Sequence, residues 1–141
     1  MKPWERLFAD AANSGIHFCA KVSKEEIEQA AQNLGVAFFS LNLRSISGKD
    51  AFLNAAAKCL QFPDYFGGNW DAFEDCLTDL SWIESPGLVL LVEEVEEFSK
   101  AAPVLMATAR EILERAAEYW KAQGIGFFVV MASENLESGL P

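Results

Sequence analysis

Residues 62–80, FPDYFGGNWDAFEDCLTDL, join a glycine-containing loop to a predicted helix that carries an unusual row of acids. Asn69 is typical of a helix N-cap, because its side chain accepts a hydrogen bond from the first unpaired backbone N–H groups. We therefore predict a helix over about residues 70–80. Three aspartates share one face of it at four-residue spacing, with Glu74 beside them: Asp71, Asp75 and Asp79. Like charges at this spacing repel by roughly 0.2–0.5 kcal/mol per pair, and the neighbouring sequence offers no Lys or Arg to offset the repulsion.

The opposite face of this predicted helix explains how it tolerates the aspartates. Large apolar residues recur there at helical spacing: Trp70, Phe73, Leu77 and Leu80. Burying a side chain of this size contributes roughly 1.5–3 kcal/mol, which outweighs the repulsion between the aspartates several-fold. A row of acids that disfavours its own helix is a local inconsistency of the kind expected at a functional surface.

The net charge of −10 comes entirely from the middle of the chain. No basic residue occurs between Lys58 and Lys100, whereas ten acids do, and the remaining chain holds eleven acids and eleven bases. A field of one sign attracts cationic partners and repels phosphate backbones and anionic membranes. We therefore expect a cationic protein as partner, and neither nucleic acid nor a membrane. The alternative is an acidic surface that only keeps the protein in solution.

Length and composition indicate one globular domain, because the chain has 141 residues and about half of them are hydrophobic. Its three cysteines form no C-x-x-C pair, so we predict neither a disulfide framework nor a zinc site. The start, MKPWERLFAD, lacks the apolar segment of a secretory signal, and LVLLV (88–92) is too short to cross a bilayer. We expect a cytoplasmic protein with reduced thiols.

Strand-like and helix-like segments alternate along the chain. Strands are predicted at 16–21, 36–43, 88–92 and 127–131, and helices at 3–13, between Ser23 and Gly35, and at 49–60, 70–80 and 103–124. The apolar start of 36–43 is expected when both faces of a strand are covered. The Glu-rich stretch 93–99 is predicted to be a loop or a single turn. This alternation predicts an α/β fold with a small, mainly parallel sheet of three to four strands packed with helices.

The sequence gives less support to a catalytic, metal-binding or phosphate-binding site. Asp71 and Asp75 as paired acids of a small hydrolase would need a cleft, which one helix face does not provide. A helix also supplies few converging oxygens for Mg²⁺ or Ca²⁺, so no metal site and no cofactor are expected. His17 is the single histidine and is predicted to be half-buried and structural. Gly67-Gly68 lacks the pattern of a phosphate-binding loop and is predicted to allow a turn with positive φ or a close approach by a partner.

The run around residues 62–80 resembles the barstar family, the intracellular protein inhibitors of barnase-type ribonucleases. The shared positions are Pro63, Tyr65, Phe66, Gly67, Asn69, Asp71, Ala72, Asp75, Cys76, Leu77 and Thr78. RSIS (44–47) and the helix–Gly–strand ending around Gly124 match more weakly. The resemblance implies one barstar-like domain over 1–141, with a core at 36–131, an N-terminal extension at 1–35 that adds a helix, a strand and another helix, and a loose tail at 132–141.

The resemblance implies an inhibitor rather than an enzyme. In this family the acidic helix and the loop before it fill the basic active site of a ribonuclease, where carboxylates take the places of RNA phosphates. By position, Asp75 corresponds to the principal contact, Asp71 to a second acidic contact and Tyr65 to an aromatic one. Gly67 corresponds to a loop contact and Thr78 to a peripheral one. The expected partner-binding residues are Tyr65, Phe66, Gly67, Asn69, Asp71, Glu74, Asp75 and Thr78.

Three positions depart from the family pattern. Glu74 stands where the family has an aromatic residue, and Gly68 stands where it has an acid. A further acidic contact of the family, in its last helix, aligns near Tyr119, which is next to Glu118. The expected function is that of an inhibitor or immunity protein for a basic ribonuclease, acting as a monomer. The alternative is a barstar-fold binding module or regulator with a cationic partner that is not a nuclease.

Overall fold

The computed structural model of the protein describes residues 2–133. Its helices are α1 (Pro3–Phe8), α2 (Lys24–Leu34), α3 (Lys49–Cys59), α4 (Trp70–Leu77), α5 (Val95–Ala101) and α6 (Pro103–Ala122). Its strands are β1 (Gly15–Cys19), β2 (Ala37–Asn42), β3 (Gly87–Glu93) and β4 (Gly126–Ala132), and a short 3-10 helix covers Ala11–Asn13. The predicted tail at 132–141 falls almost entirely outside the described residues.

The four strands form one sheet in the order β1-β4-β3-β2, and every neighbouring pair is parallel. The α/β fold with a parallel sheet is therefore confirmed. The two central strands are buried along nearly their whole length, as expected for strands covered on both faces. Strand β1, from the N-terminal extension, pairs with β4 and brings His17 opposite Val130.

Helices cover both faces of the sheet and divide the core in two. On one face, α1 and α2 bury Phe8, Ile27 and Ala31 against alternate residues of β3 and β4. On the other face, α3, α4, α5 and α6 enclose a larger cluster that contains Phe52, Phe73, Leu113 and Met131. Helix α4 therefore lies on the face of the sheet opposite to the N-terminal helices.

Local sequence signals set the ends of α2 as predicted. The Ser23 side chain accepts a hydrogen bond from the Glu26 backbone N–H at 3.3 Å. Gly35 ends the helix with a φ of 71°, a left-handed conformation that glycine adopts without a steric penalty.

Four predicted elements differ in the structure. The 3–13 segment is α1 followed by the 3-10 helix, which the Asp10 side chain caps. The Glu-rich stretch was predicted as a loop or a turn, but most of it is α5, because Val95 and Phe98 are buried three residues apart on one face. Strand β2 is an edge strand whose first residues are only half-buried, so its covering is partial. The predicted helix over 70–80 ends at Leu77.

Within residues 2–133, no helix is both long enough and apolar enough to span a lipid bilayer. All three cysteines are free thiols, of which Cys76 is buried.

Candidate functional site

The loop before α4 is anchored at both ends of a tight turn. The Phe66 backbone N–H donates to the Pro63 carbonyl at 3.0 Å, which closes the turn. The Phe62 and Phe66 rings meet edge to face with centroids 5.1 Å apart, and both pack against the larger core cluster. Tyr65 lies between these anchors with 68% of its surface exposed. The loop therefore packs two half-buried phenylalanines against the core and presents the tyrosine to solvent.

Helix α4 begins as its sequence predicts. The Asn69 side chain accepts a hydrogen bond from the Ala72 backbone N–H at 2.8 Å, which satisfies one of the unpaired donors of the first turn. On the inner face Phe73 and Leu77 are buried, and Trp70 is half-buried with its ring 5.8 Å from that of Phe73. This contact supports the prediction that Trp70 lies on the apolar face of the helix.

Asp71 and Asp75 lie one turn apart on the exposed side of α4. Within the described residues, neither carboxylate has a hydrogen bond or salt bridge to another side chain. Both are therefore fully available to an external cation. Asp71 also lies in the first turn, where the helix dipole favours a negative charge, whereas Asp75 gains nothing from it.

Glu74 differs from these two aspartates because it already has a cationic partner. The Arg115 guanidinium, from α6, donates to both Glu74 carboxylate oxygens at 2.9 Å. These bonds lower the pKa of Glu74 below its ordinary value. No base lies near Glu74 in the sequence, but the packing of α6 against α4 supplies one. Among the acids predicted to bind the partner, Glu74 is thus the one whose charge is already paired with a cation.

The third aspartate of the predicted row lies outside the helix. The Thr78 hydroxyl donates back to the Glu74 carbonyl at 3.0 Å, and the Trp120 indole N–H donates to the Leu77 carbonyl at 2.8 Å. The Trp120 bond satisfies a carbonyl that the end of a helix leaves unpaired, whereas the Glu74 carbonyl already accepts from the Thr78 backbone N–H. The chain then turns through Leu80, whose φ of 50° is left-handed and whose side chain is buried. The prediction that Asp79 shares the helical face of Asp71 and Asp75 is therefore wrong.

Asp79 instead faces the loop. The Tyr65 hydroxyl donates to its carboxylate at 2.9 Å, which links the turn to the end of α4. This hydrogen bond raises the pKa of Tyr65 above its ordinary value.

We call the exposed set Tyr65, Gly67, Asp71 and Asp75 the loop–helix surface. The structure places the other predicted binding residues at its margins. Phe66 is half-buried, Asn69 caps α4, and Thr78 bonds to the helix backbone. Gly68, rather than Gly67, has the positive φ, at 72°. On α6, Tyr119 is 45% exposed and its ring meets that of Trp120 edge to face at 5.1 Å.

Two contacts of the site escaped sequence analysis. Arg115 lies 41 residues from Glu74, and its sequence neighbourhood predicts pairing with an acid one turn away on α6, Glu111 or Glu118. The bond between Tyr65 and Asp79 spans 14 residues and depends on the early end of α4. No local pattern encodes either contact.

Three further features bear on other kinds of site: metal-ligand clusters, a cavity and His17. Residues 2–133 contain no group of three or more His, Cys, Asp or Glu side chains arranged to hold a metal ion. A small apolar cavity lined by Leu80, Trp120 and Phe127 has neither Asp71 nor Asp75 in its lining. The imidazole of His17, which is half-buried, forms a 2.7 Å hydrogen bond with the Asn13 carbonyl, consistent with a structural role.

Comparisons with known proteins identify a family and a similar fold. The family model described as Barstar (barnase inhibitor) matches residues 36–132. No curated protein matches the chain. Among solved structures, the ORC2 protein of Aeropyrum pernix, in ADPNP–ADP complexes, matches with a TM-score of 0.53 and 14% identity. That match covers 92% of this chain but 39% of the other, so the chain spans about two fifths of its length. Likeness at this identity shows the fold alone.

Proposed function

The chain belongs to the barstar family, whose model matches well over half of its length, and from that premise we propose that it is a protein inhibitor of a basic ribonuclease. Helix α4 and the loop before it would cover the active site of that enzyme. The protein would act as a cytoplasmic monomer, without a cofactor and without catalytic activity of its own.

One observation carries the proposal: Asp71 and Asp75 are exposed on α4 and have no side-chain partner among the described residues. Such carboxylates cost little while water solvates them. They become strong ligands when Arg or Lys side chains meet them away from water, because charge-assisted hydrogen bonds are roughly twice as strong as neutral ones. A ribonuclease active site offers such cations, since it binds RNA phosphates.

The remaining negative charge would act at longer range. The ten acids between Lys58 and Lys100 create a field of one sign that attracts a basic partner before contact. Charges outside the contact mainly raise the association rate, whereas desolvated pairs determine how long the complex lasts. We therefore assign anchoring to Asp75, then to Asp71 and Tyr65, and steering to outlying acids such as Glu94 and Glu97.

The Glu74–Arg115 pair favours a second candidate, a barstar-fold module whose cationic partner is not a nuclease. The pair withdraws one carboxylate from the surface and places a guanidinium, about half exposed, beside α4. A basic protein that meets α4 must leave room for this cation or offer it an acceptor. The target surface would then differ from that of barnase.

Inhibition of RNA hydrolysis by purified barnase tests the first candidate. The wild-type chain should inhibit, and Asp75→Ala should weaken binding by about 2–5 kcal/mol, because it leaves a desolvated cation of the enzyme unpaired. Asp71→Ala and Tyr65→Ala should have the next largest effects.

Glu28→Ala is a matched control. It removes the same charge from α2, on the opposite side of the sheet, and should leave inhibition unchanged. A pull-down from the native organism with wild-type and Asp75→Ala baits would separate the two candidates. Capture of a basic protein without ribonuclease activity, lost with Asp75→Ala, supports the second. If Asp75→Ala unfolds the protein but its folded fraction binds normally, both are wrong.

A further inference from the structure

Tyr65 is an unusual interface residue because its ring lacks the packing that normally fixes an aromatic side chain. It is 68% exposed, and no described ring stacks on it. Its neighbours in the loop are held by the core, through the Phe62 and Phe66 rings and the turn between Pro63 and Phe66. The core therefore holds the loop on either side of Tyr65, and the 2.9 Å hydrogen bond to Asp79 is the one described side-chain bond that ties Tyr65 and the middle of the loop to the end of α4.

The backbone of Asp79, which carries the acceptor of this bond, is anchored next to the core. Its backbone N–H donates to the Cys76 carbonyl at 3.2 Å, and the next residue, Leu80, is buried. Its negative charge does not stabilise α4, because a carboxylate just beyond the C-terminus of a helix faces the negative end of the helix dipole. The Tyr65 hydroxyl is the one side-chain donor that this carboxylate has within the described residues.

We propose that Asp79 is a positioning residue, which holds the exposed Tyr65 ring in place so that the loop and α4 present one preformed surface to the partner. A side chain that is already ordered loses less conformational freedom on binding, and this improves affinity without any new contact. The relevance of Asp79 to recognition rests on the inhibitor function proposed above. Its effect on Tyr65 does not, and is measured without a partner.

Two partner-free measurements test the positioning. The chain contains two tyrosines, so Tyr119→Phe leaves Tyr65 as the single phenol. In that background, absorbance titration should show the Tyr65 pKa fall towards its ordinary value when Asp79→Ala is added, because the hydrogen bond is what raises it most. Amide hydrogen exchange over 61–68 should become faster in Asp79→Ala and in Tyr65→Phe.

Asp64→Ala is the matched control, because it removes a carboxylate next to Tyr65 that is exposed and has no described partner. It should leave loop exchange near the wild-type rate and lower the Tyr65 pKa less than Asp79→Ala does. If Asp79→Ala leaves both the Tyr65 pKa and the exchange of the loop as in the wild type, the proposal is overturned, whatever the chain binds.

A double-mutant cycle with barnase as the probe tests the consequence for binding. Tyr65→Phe and Asp79→Ala should each shorten the lifetime of the complex roughly two- to tenfold, which corresponds to the ordering of one side chain, and the double variant should lose no more than either single variant. The lifetime is the readout because the lost charge of Asp79 also changes the association rate. Strictly multiplicative losses would overturn positioning, because Asp79 would then contact the enzyme itself. Failure of the wild-type chain to bind barnase would overturn the proposed function for that enzyme, and the titration and exchange results would still decide the role of Asp79.

Discussion

Replacing Phe73 by Ala should strongly destabilise the protein, because this side chain fixes α4 to the core. Phe73 is 1% exposed and lies among three aromatic rings, whose centroids are 5.9 Å (Phe52), 6.1 Å (Phe62) and 5.8 Å (Trp70) from its own. These rigid rings cannot close over the space left by an alanine, so the lost burial and the residual cavity both count. Truncations of this kind cost about 3–5 kcal/mol.

That loss is a large part of the total, since domains of this size are stable by about 5–15 kcal/mol. Urea unfolding followed by tryptophan fluorescence should show a much lower midpoint with an unchanged dependence on urea concentration, the signature of a change in stability alone. The variant should still bind its partner in the folded fraction, because Phe73 lies on the inner face of α4.

Asp75→Ala is the control on the other face of the same helix. The substitution removes the repulsion between the Asp75 and Asp71 carboxylates, which lie one helical turn apart. The free energy of unfolding of the variant should therefore equal that of the wild type or exceed it by about 0.2–0.5 kcal/mol. Its binding should fall as described above. Two outcomes would refute the assignment of faces: a loss below about 1 kcal/mol for Phe73→Ala, or a loss of stability in Asp75→Ala as large as that of Phe73→Ala.

Three further outcomes are expected. Since Arg115 lowers the pKa of Glu74, their bond stabilises the fold above the ordinary glutamate pKa, and this stabilisation is lost as the pH falls through the lowered value. Arg115→Gln should therefore raise the Glu74 pKa in an NMR titration. An unchanged pKa would exclude the pairing in solution. Burial raises the pKa of Cys59 to about 11, so its thiol should react slowly with a disulfide reagent near neutral pH in the native protein. After denaturation, three thiols should react with the reagent. A stable disulfide would contradict this prediction. Amides of Gly15–Cys19 that bond to β4 should exchange slowly, and rapid exchange throughout that strand would show that the N-terminal extension does not join the sheet in solution.

Local signals in the sequence were sufficient to predict most of the elements and the start of the site. Asn69 marks the start of α4 because an N-cap needs only its own side chain and the next turn. Gly35 ends α2 for an equally local reason, its left-handed backbone. Alternating strand and helix patterns predicted the parallel sheet, because strands buried on both faces are apolar throughout. A local signal for α5 was also present, in the spacing of Val95 and Phe98 among the acids, but the acids obscured it.

The tertiary structure decided which carboxylates remain free, because that depends on residues brought together from distant parts of the chain. Four acids lie between Asn69 and Leu80, and the sequence shows no cation near any of them. Packing of α6 against α4 gives Glu74 a cation, Arg115, and helps end the helix at Leu77 through the Trp120 indole. The early end of α4 then brings Asp79 to Tyr65. A hydrogen bond or ion pair between such positions depends on the relative placement of whole elements, and the hydrophobic core sets that placement.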